Sequence, residues 1–155
     1  MTSSNEFATG YLLTKLGQAT TARFAERLNE LGIRPKHFGI LFAVDTMPAG
    51  PQADFADALG LVPSAIVTMV DDLERLGAVV RTVDPLSRRR RIVELTDRGR
   101  ELLRDATRIG NEVDQELLAG LSAHERETLQ RILESVARDQ RIIPGMRPEV
   151  TPPPA

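Results

Sequence analysis

The segment from residue 59 to residue 99, LGLVPSAIVTMVDDLERLGAVVRTVDPLSRRRRIVELTDRG, decides how this chain folds. Its first half places apolar residues at steps of three and four and opens on Pro63, a pattern typical of an amphipathic helix. Two β-branched, apolar runs follow at 78–83 and 91–95, joined by DPLSRRR, which starts with an Asp-Pro turn signal. The segment therefore predicts a helix and then a β-hairpin with an arginine-rich loop.

Five more helices are predicted around this segment from the same periodicity and from their end signals. They cover about residues 7–31, 35–47, 52–59, 97–117 and 123–136. Thr96 is the expected N-cap of the long helix, and Ser122 with Glu125 forms a capping box for the last one. The fold class that follows is mainly α with a small β-hairpin (α+β).

Two of the helices have a clear apolar face. The helix that Pro63 opens is expected to bury Ile66, Met69, Val70, Leu73 and Leu76, and the last helix Leu129, Ile132, Leu133 and Val136. The first and last helices carry more apolar surface than so small a core can absorb. We therefore expect the N-terminal and C-terminal helices to form a dimerisation region in a homodimer.

The composition excludes several classes of function. A chain of 155 residues suffices for one domain, and without Cys it has no disulfide, thiol nucleophile or Cys-based zinc site. The two histidines, His37 and His124, are not spaced with acidic residues as metal ligands are. No phosphate loop, zincin motif or nucleophile elbow occurs. We expect no enzyme, no metal and no cofactor.

Neither a signal peptide nor an apolar run of about 20 residues is present, which favours a cytoplasmic protein without a membrane partner. The net charge of −2 hides an uneven distribution. Between residues 81 and 104 there are eight arginines and four acidic residues, a local +4 that leaves −6 for the remainder. A basic face on an acidic body is compatible with binding phosphate through that face alone.

A helix-turn-helix followed by a basic hairpin is a winged helix-turn-helix, and these residues resemble the MarR family of bacterial transcription regulators. LGLVPSAIVTMVDDLERLGAVVR is similar to the turn and recognition helix of that family, and DPLSRRRRIVELTDRG to its wing and the entry to its next helix. The spacing holds throughout, and the resemblance reaches about residue 139. It implies one domain at 1–143, with the winged helix-turn-helix at 35–99 and helical dimerisation parts at 5–32 and 100–143. The Pro-rich tail, 144–155, is expected to be disordered.

The resemblance implies a homodimer that binds a pseudo-palindromic operator in double-stranded DNA, a repressor released by a small aromatic or phenolic effector. Arg89 matches the arginine that enters the minor groove. Because side chains alternate along a strand, we expect Arg88 and Arg90 on phosphates and Arg91 on phosphate or in a structural contact. The base-reading part of the recognition helix carries Ser64, Ala65, Val67 and Thr68. A cleft for the effector would involve Tyr11, His37, Phe38 and Phe42, all of which serve equally well as structural residues.

Three departures from the pattern of the family involve four positions. Ser87 stands where many members have an aspartate that orients the wing arginine, and Val62 replaces the usual Ser or Thr cap. Thr68 and Asp72 occupy positions that are often basic, and the pair Asp71-Asp72 is expected on an exposed helix face. These departures shift the expected binding load toward the wing. Two alternatives stay open: a winged-helix module that binds an acidic protein partner, and a regulator without a ligand.

Overall fold

The computed structural model describes residues 8–140, and the residues predicted as a Pro-rich tail lie outside this range. It contains six α-helices, one short 3₁₀-helix and a two-stranded antiparallel sheet, which confirms the predicted fold class. The elements are α1 Ala8–Leu28, the 3₁₀-helix Asn29–Leu31, α2 Pro35–Thr46, α3 Gln52–Leu59, α4 Pro63–Arg75, β1 Val79–Asp84, β2 Ser87–Leu95, α5 Asp97–Leu117 and α6 Ala123–Asp139. Phe7, the predicted start of α1, lies outside the described residues.

The entry to α5 is locked against the end of α4. Thr96 is the N-cap, and its Oγ1 accepts a hydrogen bond from the Gly99 amide at 3.0 Å and donates one to the Gly77 carbonyl. Gly77 ends α4 with φ +68°, a backbone conformation that residues other than glycine rarely adopt. A Cβ on Gly99 would lie 1.9 Å from the carbonyl oxygen of Ala78, so glycine is required there for close approach. The hairpin is thus held at its base by backbone contacts.

The hairpin, called the wing from here on (residues 79–95), differs from the prediction in its second strand. β2 begins at Ser87 rather than Arg91, so the arginines lie in the strand and the turn is only Pro85-Leu86. The reason is a local hydrogen bond: the Leu86 amide donates to Asp84 Oδ1 at 2.8 Å, which closes the turn within two residues. The wing is also bridged to the loop before α3, where the Val93 amide donates to the Gly50 carbonyl.

The core lies between α2, α4, α5 and the base of the wing, with the end of α1 packed on it. Its fully buried side chains include Leu28, Ile33, Ile40, Leu41, Phe55, Ile66, Val70, Leu73 and Leu102. Of the five α4 residues predicted to be buried, Met69 is only partly covered, and for Leu76 the prediction was wrong: it is 42% exposed. Leu76 is the C-cap of α4, where the chain turns away from the core.

The prediction for the last helix was half right. The capping box is confirmed, since the Ser122 amide and hydroxyl both donate to Glu125 Oε2, and these hydrogen bonds lower the pKa of the Glu125 carboxyl. The predicted burial is wrong for the single chain, because α6 buries none of its side chains. Ile132, Leu133 and Val136 are exposed, while Leu129 is half-buried. The helix lies at the edge of the chain, where no other described element covers this face.

The first helix has a matching feature in its N-terminal half. Tyr11, Leu12, Leu13 and Leu16 are all about half exposed, whereas Leu28 near the other end is fully buried. The C-terminal part of α1 is tied to α5, where Arg27 pairs with Glu112 and Glu116. Each end of the described chain therefore presents an exposed apolar face on a helix that is otherwise well formed.

No single helix within residues 8–140 is long and apolar enough to cross a membrane. The helices α3 and α4 together have the length and composition of a membrane span, but this pair is bent by 116°.

Candidate nucleic-acid interface

The exposed face of α4 carries the side chains that the sequence assigned to base reading. Ser64, Val67 and Thr68 are exposed, and Ala65 is half-buried. Thr68 Oγ1 donates to the Ser64 carbonyl at 3.1 Å, so its hydroxyl is left mainly with accepting capacity. Val62 is the N-cap and makes no side-chain hydrogen bond to the helix, so the cap contributes none of the usual stabilisation of about 1 kcal/mol. The face is small and weakly polar.

The four arginines of the wing do not share one environment. All four are exposed, but Arg90 is engaged by two carboxylates: its Nε lies 3.4 Å from Asp84 Oδ2 and its Nη2 lies 3.6 Å from Asp54 Oδ2. Among residues 8–140, no carboxylate lies at ion-pair distance from Arg88, Arg89 or Arg91. These three guanidinium groups keep their charge available to a ligand. Arg90, expected on phosphate, has two carboxylates at ion-pair distance and remains half-exposed.

Strict alternation does not apply to the arginines, because the strand register is irregular. Val83 pairs with Arg91, and the next residue, Asp84, pairs with Ser87. β2 thus advances by four residues where β1 advances by one, and residues 88–90 have no partner on β1. Such irregularities re-aim side chains at the rim of a sheet. At the tip, Leu86 is 95% exposed.

Asp71 and Asp72 were expected on a solvated face, and this interpretation was wrong. Asp72 lies 2.6 Å from Arg75, 3.6 Å from Arg34 and 3.3 Å from His37 Nε2. Partial burial opposes its ionisation, but the contacts with Arg75 and His37 outweigh this effect and lower the pKa of the Asp72 carboxyl. Its negative charge is therefore neutralised locally and does not act as a free acid beside α4.

His37 is a structural residue of the α2 start. It is 4% exposed, and its Nδ1 accepts a hydrogen bond from the Arg34 amide at 3.1 Å. That bond assigns the proton of the neutral ring to Nε2, which faces Asp72. Burial, with the nearby Arg34 charge, lowers the pKa of His37 against the opposing pull of Asp72. The side chain connects the first turn of α2 to α4.

Sequence reasoning missed Arg81, which ties three elements together. Its guanidinium donates to Asp71 Oδ1 at 2.6 Å and to Gln52 Oε1 at 3.2 Å, and it also pairs with Glu74. β1 is thus fastened to both helices of the helix-turn-helix. No sequence signal identifies this contact, because the partners are up to 29 positions away and on different elements.

A cavity of about 420 Å³ opens between α2 and α5. Its lining is Phe42, Asp45, Leu103, Arg104, Thr107, Arg108 and Asn111. Of the four predicted effector residues, Phe42 lines this cavity. Phe38 packs between Phe24 and Phe42, with ring centroids 5.3 and 6.3 Å apart, and Tyr11 lies on the exposed face of α1.

Within the described residues, no group of three or more His, Asp or Glu side chains is arranged to hold a metal ion.

A family model described as "MarR family" matches residues 31–90. The HTH-type transcriptional repressor Rv2887 of Mycobacterium tuberculosis is 31% identical over 130 residues, which cover 84% of this chain and 94% of the repressor. The crystal structure of the MarR family protein Rv2887 in complex with DNA superimposes with a TM-score of 0.72 at 30% identity, covering 82% of this chain and 95% of that one.

A second solved structure that resembles this chain contains a different kind of ligand. CouR from Rhodococcus jostii RHA1, bound to p-coumaroyl-CoA, has a TM-score of 0.68 and 30% identity, and the match covers 84% of this chain and 92% of CouR. The resemblance therefore includes one complex with DNA and one with an aromatic acyl thioester.

Proposed function

The chain belongs to the MarR family of DNA-binding transcriptional regulators, and on this basis we propose that it is a homodimeric repressor of a pseudo-palindromic operator, released by a small aromatic acid. The observation that carries the proposal is the pair Arg88 and Arg89, exposed on β2 of the wing and without ion pairs in the described part of the chain. Arginine is favoured in a narrow minor groove, where the negative potential is concentrated. Ser64, Ala65, Val67 and Thr68 face the major groove.

In the proposed homodimer, α1 and α6 of one chain contact the same helices of a second chain. The exposed apolar side chains of α1 and α6 leave water when the same faces of a second chain cover them. A two-fold dimer presents two copies of α4 and two wings, which fits an inverted repeat with half-sites about one helical turn apart. Such a protein acts where the chromosome is, so we place it in the cytoplasm.

The effector site we favour is the cavity between α2 and α5. Phe42 and Leu103 offer an apolar wall, and Arg104 offers a cation that has no ion pair among residues 8–140. An aromatic body with a carboxylate or phosphate group matches this lining. The complex of CouR with p-coumaroyl-CoA supports an aromatic ligand for a relative of this chain.

Arg89→Ala tests the DNA interface. On a duplex selected from a random pool, we expect the dissociation constant to rise at least about 30-fold, because a dimer loses two arginine contacts, each of which ordinarily contributes about 1 to 3 kcal/mol. We also expect the slope of log affinity against log salt to become shallower by about 2, because two fewer counterions are released, one at each wing. Fluorescence anisotropy at several salt concentrations measures both quantities.

Arg23→Ala is the matched control, since it removes the same charge from an exposed position on α1, outside the winged part. It should leave the salt slope unchanged. If Arg89→Ala bound the duplex with the affinity and salt slope of the wild type, the proposed contact of the wing with DNA would be contradicted.

A further inference from the structure

Each strand of the wing is fastened to the helix-turn-helix by one arginine. Arg81 joins β1 to α3 and α4, and Arg90 on β2 lies between Asp84, the last residue of β1, and Asp54 of α3. Asp84 and Arg90 belong to the same hairpin, so their pairing stiffens the wing but does not orient it. Asp54 belongs to another element, and its contact with Arg90 spans the gap between α3 and the wing.

The Asp54 carboxylate lies close to the backbone before α3. Asp54 lies in the first turn of α3, where the helix dipole favours an acid. Its Oδ2 rests so close to Gly50 that a Cβ on that residue would lie 2.8 Å away. The Gly50 carbonyl, in turn, accepts the hydrogen bond from the Val93 amide of β2. Gly50 therefore lies close to the Asp54 carboxylate and is hydrogen-bonded to β2, the strand that carries Arg90.

We propose that Asp54 is a positioning residue: its ion pair with Arg90 sets the tilt of the wing relative to α4, and so the fit of the protein to two neighbouring grooves of DNA. This inference rests on the proposed function. It also assigns Arg90 to the protein rather than to phosphate. Ser87, at the position where the family resemblance leads one to expect an aspartate, carries no charge for this task.

The sign of the effect distinguishes positioning from simple electrostatics. Asp54 is a half-exposed acid beside a surface that binds phosphate, so its charge alone repels DNA. If it did nothing else, removing the charge would tighten binding to every duplex. If it orients the wing, removing the charge weakens binding to the specific duplex, while binding to an unrelated duplex is unchanged or tighter.

Asp54→Asn is compared with Asp57→Asn, which removes the same charge from an exposed α3 position that has no ion pair among the described residues. We expect Asp54→Asn to bind the selected duplex about fivefold more weakly, within the range for two exposed ion pairs, one in each chain of the dimer, and Asp57→Asn to bind as wild type or more tightly. The ratio of specific to nonspecific affinity should fall only in Asp54→Asn. Equal ratios in the two variants would overturn the proposal.

Arg90→Gln is the second variant and removes the other member of the pair. The proposal predicts a fall in specificity with an unchanged salt slope, and no further loss when Asp54→Asn is added, because Arg90→Gln has already broken the contact between Asp54 and Arg90. A salt slope shallower by about 2 would instead assign Arg90 of both chains to phosphates and overturn the proposal. If the wild-type chain binds no duplex specifically, the proposed function itself fails, which is a distinguishable result.

Discussion

Single side chains explain how an acid-rich recognition helix is compatible with DNA binding. Asp71 is paired with Arg81, and Asp72 with Arg75, Arg34 and the buried His37. Arg81 and Arg34 pair with these acids from outside α4, whereas Arg75 lies three residues after Asp72 on the same helix. The negative charge on α4 is therefore largely compensated inside the protein, and the face that carries Ser64 and Thr68 is not dominated by it.

His37 makes stability depend on pH. Its folded-state pKa lies below the ordinary value of 6.5, so the unfolded chain binds a proton first as the pH falls. The contribution of neutral His37 is complete above pH 6.5 and is lost progressively below it, with a slope of at most about 1.4 kcal/mol per pH unit. Urea unfolding of the wild type from pH 7.5 to 5.5 should therefore show a falling free energy of unfolding.

His37→Gln keeps an acceptor for the Arg34 amide, as Gln does at this position of a capping box, but does not titrate. We expect a flatter pH dependence in this variant, whereas His124→Gln, at an exposed position, should behave as wild type. Identical slopes in His37→Gln and the wild type would show that His37 is not the titrating group.

Helices and strands were predictable where local chemistry determines them. The Pro starts of α2 and α4, the Thr96 and Ser122 caps and the glycine that ends α4 all lie where the sequence places them. The start of β2 was missed because the Asp84 side chain shortens the turn, a bond that periodicity does not reveal. Contacts between elements, such as that of Asp54 with Arg90, depend on packing angles and could not be predicted from the sequence.

The cleft between α2 and α5 carries the effector prediction. A phenolic acid that binds there stabilises the native state by mass action, by about 2.7 kcal/mol at a concentration of 100 times Kd. Screening a panel of phenolic acids by thermal unfolding should find compounds that raise the midpoint of the wild type. Arg104→Gln should lose the shift, and Arg98→Gln, which is on the same helix but outside the cavity lining, should keep it.

An unchanged midpoint with every acid, or an equal shift in Arg104→Gln, would contradict this site. The cavity would then be an ordinary surface cleft of the fold.

At the scale of the whole molecule, the proposed homodimer accounts for the exposed apolar faces of α1 and α6. The helices α1 and α6 carry exposed apolar faces, and the arginine-rich wing lies between these helices in the sequence. A monomer would leave these faces in water, and a single wing and recognition helix would read only one half-site. The uncapped, weakly polar α4 makes the contribution of the wing comparatively large.

The most direct test is to select duplexes from a random DNA pool with the full chain and to determine the stoichiometry of the selected complex by sedimentation. We predict an inverted repeat with half-sites about one helical turn apart, bound by two chains at least about 10³-fold more tightly than a scrambled duplex. Enrichment of no sequence, or equal affinity for selected and scrambled duplexes, would contradict sequence-specific DNA binding and leave an acidic protein as the partner of the wing.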